Sequence, residues 1–205
     1  MFGQNRNLAD SQTTPIAADA LGRLMVNGAL DGDLYRAFFP SVAAANNKVY
    51  LDLWNGSTDL ILQIAQVVPI CDGEVAAAGT TGINLFLTRT TAIGTGGTAA
   101  VAEGAVLTVP AISRVDSRSP QCPATITARA APAGGATGGA ILGASAQVGE
   151  TAGYAMYWPT NMANAVSAYA SPVIVSPSTG IRVLQSALSL VGNLVFEILF
   201  SVRRQ

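Results

Sequence analysis

The stretch VYLDLWNGSTDLILQIAQVVPI, Val49 to Ile70, decides the fold class. Its first six residues alternate. Val49, Leu51 and Leu53 fall on one side of an extended chain, and Tyr50, Asp52 and Trp54 on the other. Asn55-Gly56-Ser57-Thr58 supplies turn residues, two of which tolerate positive φ. Alternation then resumes, with Leu60, Leu62 and Ile64 opposite Ile61, Gln63 and Ala65. Strand, Asn-Gly turn and strand predict a β-hairpin.

The same texture extends in both directions. Leu34 to Phe39 reads as a strand that stops at Pro40, where the ladder loses a donor. Ile83–Arg89, Ala105–Ile112, Ala124–Ala130, Ile141–Val148, Tyr154–Trp158 and Val173–Val175 read as further strands, separated by Gly-, Pro-, Ser- and Thr-rich runs. Residues 159–171 fit one short helix, with Met162, Val166 and Tyr169 at helical spacing. Residues 183–202 are nearly long enough to cross a bilayer. Gln185, Asn193 and Glu197 oppose a span, as do the Gly192-Asn193 turn and the period-two pattern from Leu194 to Arg203. Two antiparallel strands joined at Gly192-Asn193 fit better. Short strands about ten residues apart, with little helix, predict an all-β two-sheet sandwich, a jelly-roll-like one being preferred. Residues 1–20 are polar and small and 21–31 form a short apolar stretch broken by Gly22 and Gly28, so 1–32 read as an extended N-terminal arm and lead-in; 33–205 read as a single β-sandwich domain.

Composition narrows the function. The chain has 205 residues, no histidine, a net charge of −1 and only 11% charged residues. Its length is enough for one core without staples. The ten arginines are scattered, which argues against nucleic acid. Low charge has two readings: a surface rich in Ser, Thr, Asn and Gln, or a surface covered by partners. Arg outnumbers Lys ten to one, a ratio suited to interfaces, though host codon usage yields it too. Cys71 and Cys122 form no metal-ligand pattern, and two free thiols are the simpler reading over one bridge. No apolar leader precedes the first strand, and no membrane anchor is expected.

Chemistry has few candidates. A serine or cysteine nucleophile lacks the commonest base, and Lys48, the single lysine, sits at a strand start. Asp31 and Asp33, Asp59, and Asp72 with Glu74 belong to turns; Asp116 and Glu150 are further candidates. Asp52 and Glu197 interrupt apolar strands and are the only carboxylates placed for glycosidase-like work. A cross-strand arginine partner is the structural alternative for Asp52. Gly94-Thr95-Gly96-Gly97-Thr98 fails as a phosphate loop, having neither GK[ST] nor a following helix. No catalytic, cofactor or metal residue is assigned. The aromatic clusters Tyr35, Phe38, Phe39 and Tyr154, Met156, Tyr157, Trp158 are candidate interface residues, with core burial as the alternative.

The phrases KVYLDLWNGSTDLILQI, INLFLTRTTAIGTGGTAA, ARAAPAGGATGGA and LVFEILFSVRR resemble small structural proteins of tailed-bacteriophage virions. The resemblance covers much of residues 45–205 and carries no catalytic motif. It implies a non-enzymatic capsid decoration or cement protein, located in the virion and bound to other virion proteins, the major capsid protein first. It implies a homo-oligomer, with a trimer favoured. The alternative is a tail, head-fibre or receptor-attachment component that binds a host-surface glycan.

Overall fold

The computed structural model of the chain describes residues 17–18, 24–25, 32–43, 45, 47–72, 83–133, 138–147, 173–185 and 193–205. All regular structure among them is β. The strands are β1 (Ala17–Ala18), β2 (Leu24–Met25), β3 (Asp33–Ala43), β4 (Val49–Asn55), β5 (Leu60–Asp72), β6 (Ile83–Thr90), β7 (Thr98–Ala99), β8 (Val101–Ala102), β9 (Ala111–Arg114), β10 (Ile126–Ala130), β11 (Gly138–Gln147), β12 (Val173–Val175), β13 (Thr179–Gln185) and β14 (Asn193–Arg204). Within the expected arm, β1 and β2 pair antiparallel with each other. Tyr154–Trp158 and the helix expected at 159–171 lie outside the described residues.

Two six-stranded sheets pack face to face, as the alternation predicts. One has the order β11-β6-β13-β4-β10-β7 and the other β12-β5-β14-β3-β9-β8. The pairing is nested. β3 pairs with β14, β4 with β13, β5 with β12 and β6 with β11, all antiparallel. The chain is thus one long antiparallel ribbon, and its successive rungs fall in alternate sheets. The segment between β6 and β11 adds β9 and β8 beyond β3, and β10 and β7 beyond β4.

Leu194, Phe196, Ile198, Phe200 and Val202 of β14 all enter the core, as their spacing predicts. Across the interlayer Tyr50 lies against Phe196 with ring centroids 5.1 Å apart. Tyr35 lies against Phe200 at 5.8 Å, in the tilted geometry that aromatic pairs prefer. Leu51, Leu53, Leu62, Ile64, Leu85, Leu87, Ile181 and Val183 fill the rest.

Five local expectations are corrected. The 49–70 stretch is not a hairpin, because β4 and β5 lie in different sheets and the turn is an arch between them. Asn55 builds the arch. Its buried amide donates to the carbonyls of Leu60 (2.8 Å) and Val175 (3.2 Å), and its Oδ1 accepts the Ser57 N–H. Strict alternation in β4 also fails. The ladder with β13 slips between Val183 and Leu184, and the extra β4 residue turns Tyr50 into the core beside Leu51. β3 does not stop at Pro40. It continues to Ala43 through a register shift opposite β14, where a missing N–H costs no ladder bond. The expected strand 105–112 begins only at Ala111. At the C-terminus β14 is the second expected strand, but both its edges are taken by β3 and β5, so it forms no hairpin; the first, read from residue 183 to the Gly192 turn, is described only to Gln185, in β13 of the opposite sheet. Among the described residues no helix is long and apolar enough to cross a membrane.

Cys122 is a free thiol packed against the core. Burial pushes its pKa from 9.0 up to about 12. Burial, then the nearby Asp33 carboxylate, pushes the Tyr35 phenol from 10.0 to about 12. Burial raises Tyr50 as well, and its hydroxyl donates to Gln185 Oε1. All three groups ionise more readily in the unfolded chain. Their stabilisation is therefore complete below about pH 9 and is lost as pH rises towards 12. The melting temperature followed by circular dichroism is expected to fall steadily across that window, and less steeply in Tyr35→Phe; a flat profile would contradict the assignment.

Candidate interaction surface

The two acids singled out from the sequence, Asp52 and Glu197, both have arginines as neighbours. Asp52 faces outward from its sheet, directly across from Arg129 on β10 and Arg182 on β13. It is nevertheless only 1% exposed, because residues 91–97 fold over it. The Gly94 N–H donates to Asp52 Oδ2. Arg129 donates to the Gly96 carbonyl (3.2 Å), and the Ala133 N–H to the Thr95 carbonyl (2.8 Å). The glycine-rich run is thus a strap clamped on a sheet. Gly97 has φ +64°, and a Cβ there would stand 2.2 Å from the Ala130 carbonyl oxygen, so only glycine fits.

Burial raises the Asp52 pKa, against the Gly94 N–H and the charges of Arg129 and Arg182, which lower it. Asp52 Oδ1 and Arg129 Nε are buried without hydrogen-bond partners among the described residues. Arg182 donates to Thr88 Oγ1 (3.1 Å). Glu197 lies on the other sheet's outer face and meets Arg36 at 3.9 Å. Asp52 and Glu197 therefore sit on different sheets, each among arginines, and form no carboxylate pair.

The aromatic candidates divide. Tyr35 and Phe39 are fully buried within one chain, which corrects their assignment to an interface. They occupy the inward positions of β3, and the Tyr35 hydroxyl donates to the Pro120 carbonyl (3.1 Å). Phe38 occupies the outward position between them. It is half-buried, directly opposite Glu197 on one side and Ala111 on the other. Tyr154, Met156, Tyr157 and Trp158 lie outside the described residues.

Apart from Ile141 on β11, the exposed large apolar side chains among the described residues lie elsewhere, in the insertion between β6 and β11. Leu107 is 79% exposed, Val106 59% and Val101 46%. Beside them a groove of about 440 Å³ opens between the end of β3 and the end of β10. Its walls include Pro40, Val42, Thr98, Leu107, Ala130 and Ala131, and no charged side chain lines it. Ala131 is in the left-handed region at φ 47°, costly for a residue with a Cβ, and its N–H donates to the Tyr50 carbonyl (2.8 Å). The insertion is tied back by Glu103. Its Oε1 accepts the Arg114 backbone N–H and the guanidinium Nε, each at 3.0 Å. Those bonds, the backbone one first, hold the Glu103 carboxyl below its ordinary range.

Sequence reasoning missed this surface by reading 105–112 as a strand. The signal was present in the breakers: Gly104 and Pro110 bracket AVLTV, which does not alternate. Comparison with protein-family models, with curated proteins and with solved structures found no match to this chain.

Removing the clamp should free the strap. Asp52→Ala is expected to cost about 1–3 kcal/mol, the range for leaving buried polar partners unpaired. Faster hydrogen exchange at the Gly94 amide should accompany it. Unchanged protection of that amide would show that the strap is held by something else.

Proposed function

We propose that this chain is a non-enzymatic structural component of a phage virion, most simply a capsid decoration or cement protein that stabilises the shell through subunit contacts. The observation that carries this reading is the nested ribbon. Pairing β3 with β14, β4 with β13, β5 with β12 and β6 with β11, with rungs alternating between two sheets, is the wrapping we assign as a jelly roll. That architecture is common in viral shells and in lectins. The virion resemblance of residues 45–205 points to the first of these.

Two further features favour docking over chemistry. The outward acids with partners are committed to arginines: Asp52 faces Arg129 and Arg182, Glu197 meets Arg36, Glu103 meets Arg114 and Asp116 meets Arg118. Exposed apolar area is instead concentrated in one insertion, the arrangement of a contact surface. On this reading the partners are other virion proteins, the major capsid protein first, and the protein resides in the particle.

A second reading, attachment to a host-surface glycan, draws on the lectin use of the same architecture. Trp54 is the aromatic it would engage, half-buried on the outer face of the sheet beside Asp52.

Purified chain mixed with phage heads that lack it should co-sediment saturably, at a copy number set by the shell's symmetry, and should raise the temperature at which the heads break open. Failure to bind heads, together with selective binding on a glycan array that Trp54→Ala abolishes, would replace the first reading with the second.

A further inference from the structure

We infer that residues 91–97 are a proton-set latch: the strap is held on its sheet more tightly when the Asp52 carboxyl is protonated, and loosens as that carboxyl ionises. Three observations carry this.

The first is placement. Asp52 faces outward from its sheet and yet is 1% exposed, because the strap covers it. The strap seats glycine backbone directly on the carboxyl. A Cβ on Gly94 would stand 2.8 Å from Asp52 Oδ2 and 2.9 Å from Pro132 Cβ. The closed strap must therefore strip water from the carboxyl, and an open strap returns it.

The second is what the carboxyl receives in exchange. Oδ2 accepts the Gly94 N–H, while Oδ1 is buried without a hydrogen-bond partner among the described residues. The charged groups that face Asp52 are Arg129 on β10 and Arg182 on β13. The rest of β4, the strap itself, Pro132 and Ala133 bring no charged side chain. Arg129 turns a donor to the Gly96 carbonyl, and Arg182 turns one to Thr88 Oγ1. One neutral N–H and two arginines engaged elsewhere do not replace the hydration of an ion. Burial is accordingly the larger influence and raises the Asp52 pKa. A neutral carboxyl keeps the Gly94 bond and gives up far less hydration. The sign follows. The closed form binds the proton more tightly than the open form. Closure is therefore favoured in acid and loses that advantage as pH rises through the closed-state pKa.

The third is isolation. The chain has no histidine, so no imidazole titrates between about pH 5 and 8. Glu103 and Asp116 are held below their ordinary range by bonds from Arg114 and Arg118. A raised carboxyl on Asp52 thus titrates apart from them. Gly97, the last residue of the strap, also lines the groove between the ends of β3 and β10. The latch therefore reaches the proposed contact surface; that consequence rests on the docking reading, and the latch itself does not.

The experiment is amide hydrogen exchange by NMR on the full chain from about pH 4 to 7, expressed as protection relative to the unstructured rate. The Asp52 carboxyl carbon shift is followed in the same samples. Protection of the Gly94 amide should be about threefold or more greater at the acid end than at the neutral end. The Asp52 carbon should titrate with the same midpoint, above the ordinary aspartate value. Asp52→Asn keeps an acceptor for Gly94 and has no charge to gain, so its protection should be level across the range. Arg182→Gln removes a charge that favours the ionised form, so the midpoint should move to higher pH. Strap protection that is flat in the wild type, or greater at the neutral end, overturns the inference. So does an Asp52 carbon that titrates at or below the ordinary value, an Asp52→Asn strap that keeps the pH response, or a midpoint that Arg182→Gln leaves in place or lowers. A chain that ignores phage heads and still shows this response keeps the latch and loses the docking reading.

Discussion

Strand β14 hydrogen-bonds along both edges, to β3 and to β5, while every second side chain from Leu194 to Val202 enters the core. The rest of the sandwich depends on that double engagement. β3 begins the described sandwich and β14 is its last strand, so the two ends of the ribbon must meet before their sheet has its central pair. Such closure is entropically costly and comes late in folding. It is repaid by an apolar interlayer in which Tyr50 meets Phe196 and Tyr35 meets Phe200. The same closure forces Asn55 to act as a corner. A tight turn there would keep β4 and β5 side by side in one sheet, and β13 could not then reach its place beside β4. The buried amide of Asn55, bonded to Leu60 and to Val175, holds the crossing that the ribbon needs.

The few charges serve this architecture. Asp52 lies on an outer face yet is removed from water by the strap 91–97. A buried carboxylate of this kind is tolerable because Arg129, Arg182 and the Gly94 N–H oppose the cost of its desolvation. Arg89 works across the layers, donating to the Ile174 carbonyl of the other sheet (3.0 Å). Glu103 ties the insertion to β9 through Arg114. A charged content of 11% is enough when charges hold loops and corners in place, and it leaves residues 104–113 of the insertion uncharged.

The insertion is where fold and proposed role meet. Its strands extend both sheets at one edge, and its loop brings Val101, Val106 and Leu107 into solvent beside a groove with no charged lining. In a monomer of tuned solubility such a patch is a liability; on a protein that works by contact it is the working surface. Of the aromatic residues that drew attention in the sequence, Tyr35 and Phe39 serve the interior and Phe38 faces outward.

Alternation alone was sufficient to place β4, β5, β6, β10, β12 and β14 to within a few residues and to require two layers, because side chains on a pleated strand must change sides at every step. Composition argued against metal and nucleophilic chemistry, because the residue types they commonly use are missing or isolated. Tertiary structure decided which strands are neighbours, and this is why the expected hairpins at 49–70 and at the C-terminus became crossings between sheets. Pairing partners lie up to about 170 residues apart along the chain, as Asp33 and Val202 do, and no local pattern encodes them. It also decided that Tyr35 and Phe39 are core, that Tyr50 turns inward at a bulge, and that Leu107 stands free. Burial depends on what packs over a residue from elsewhere in the chain, so a side chain's own neighbours in sequence cannot fix it.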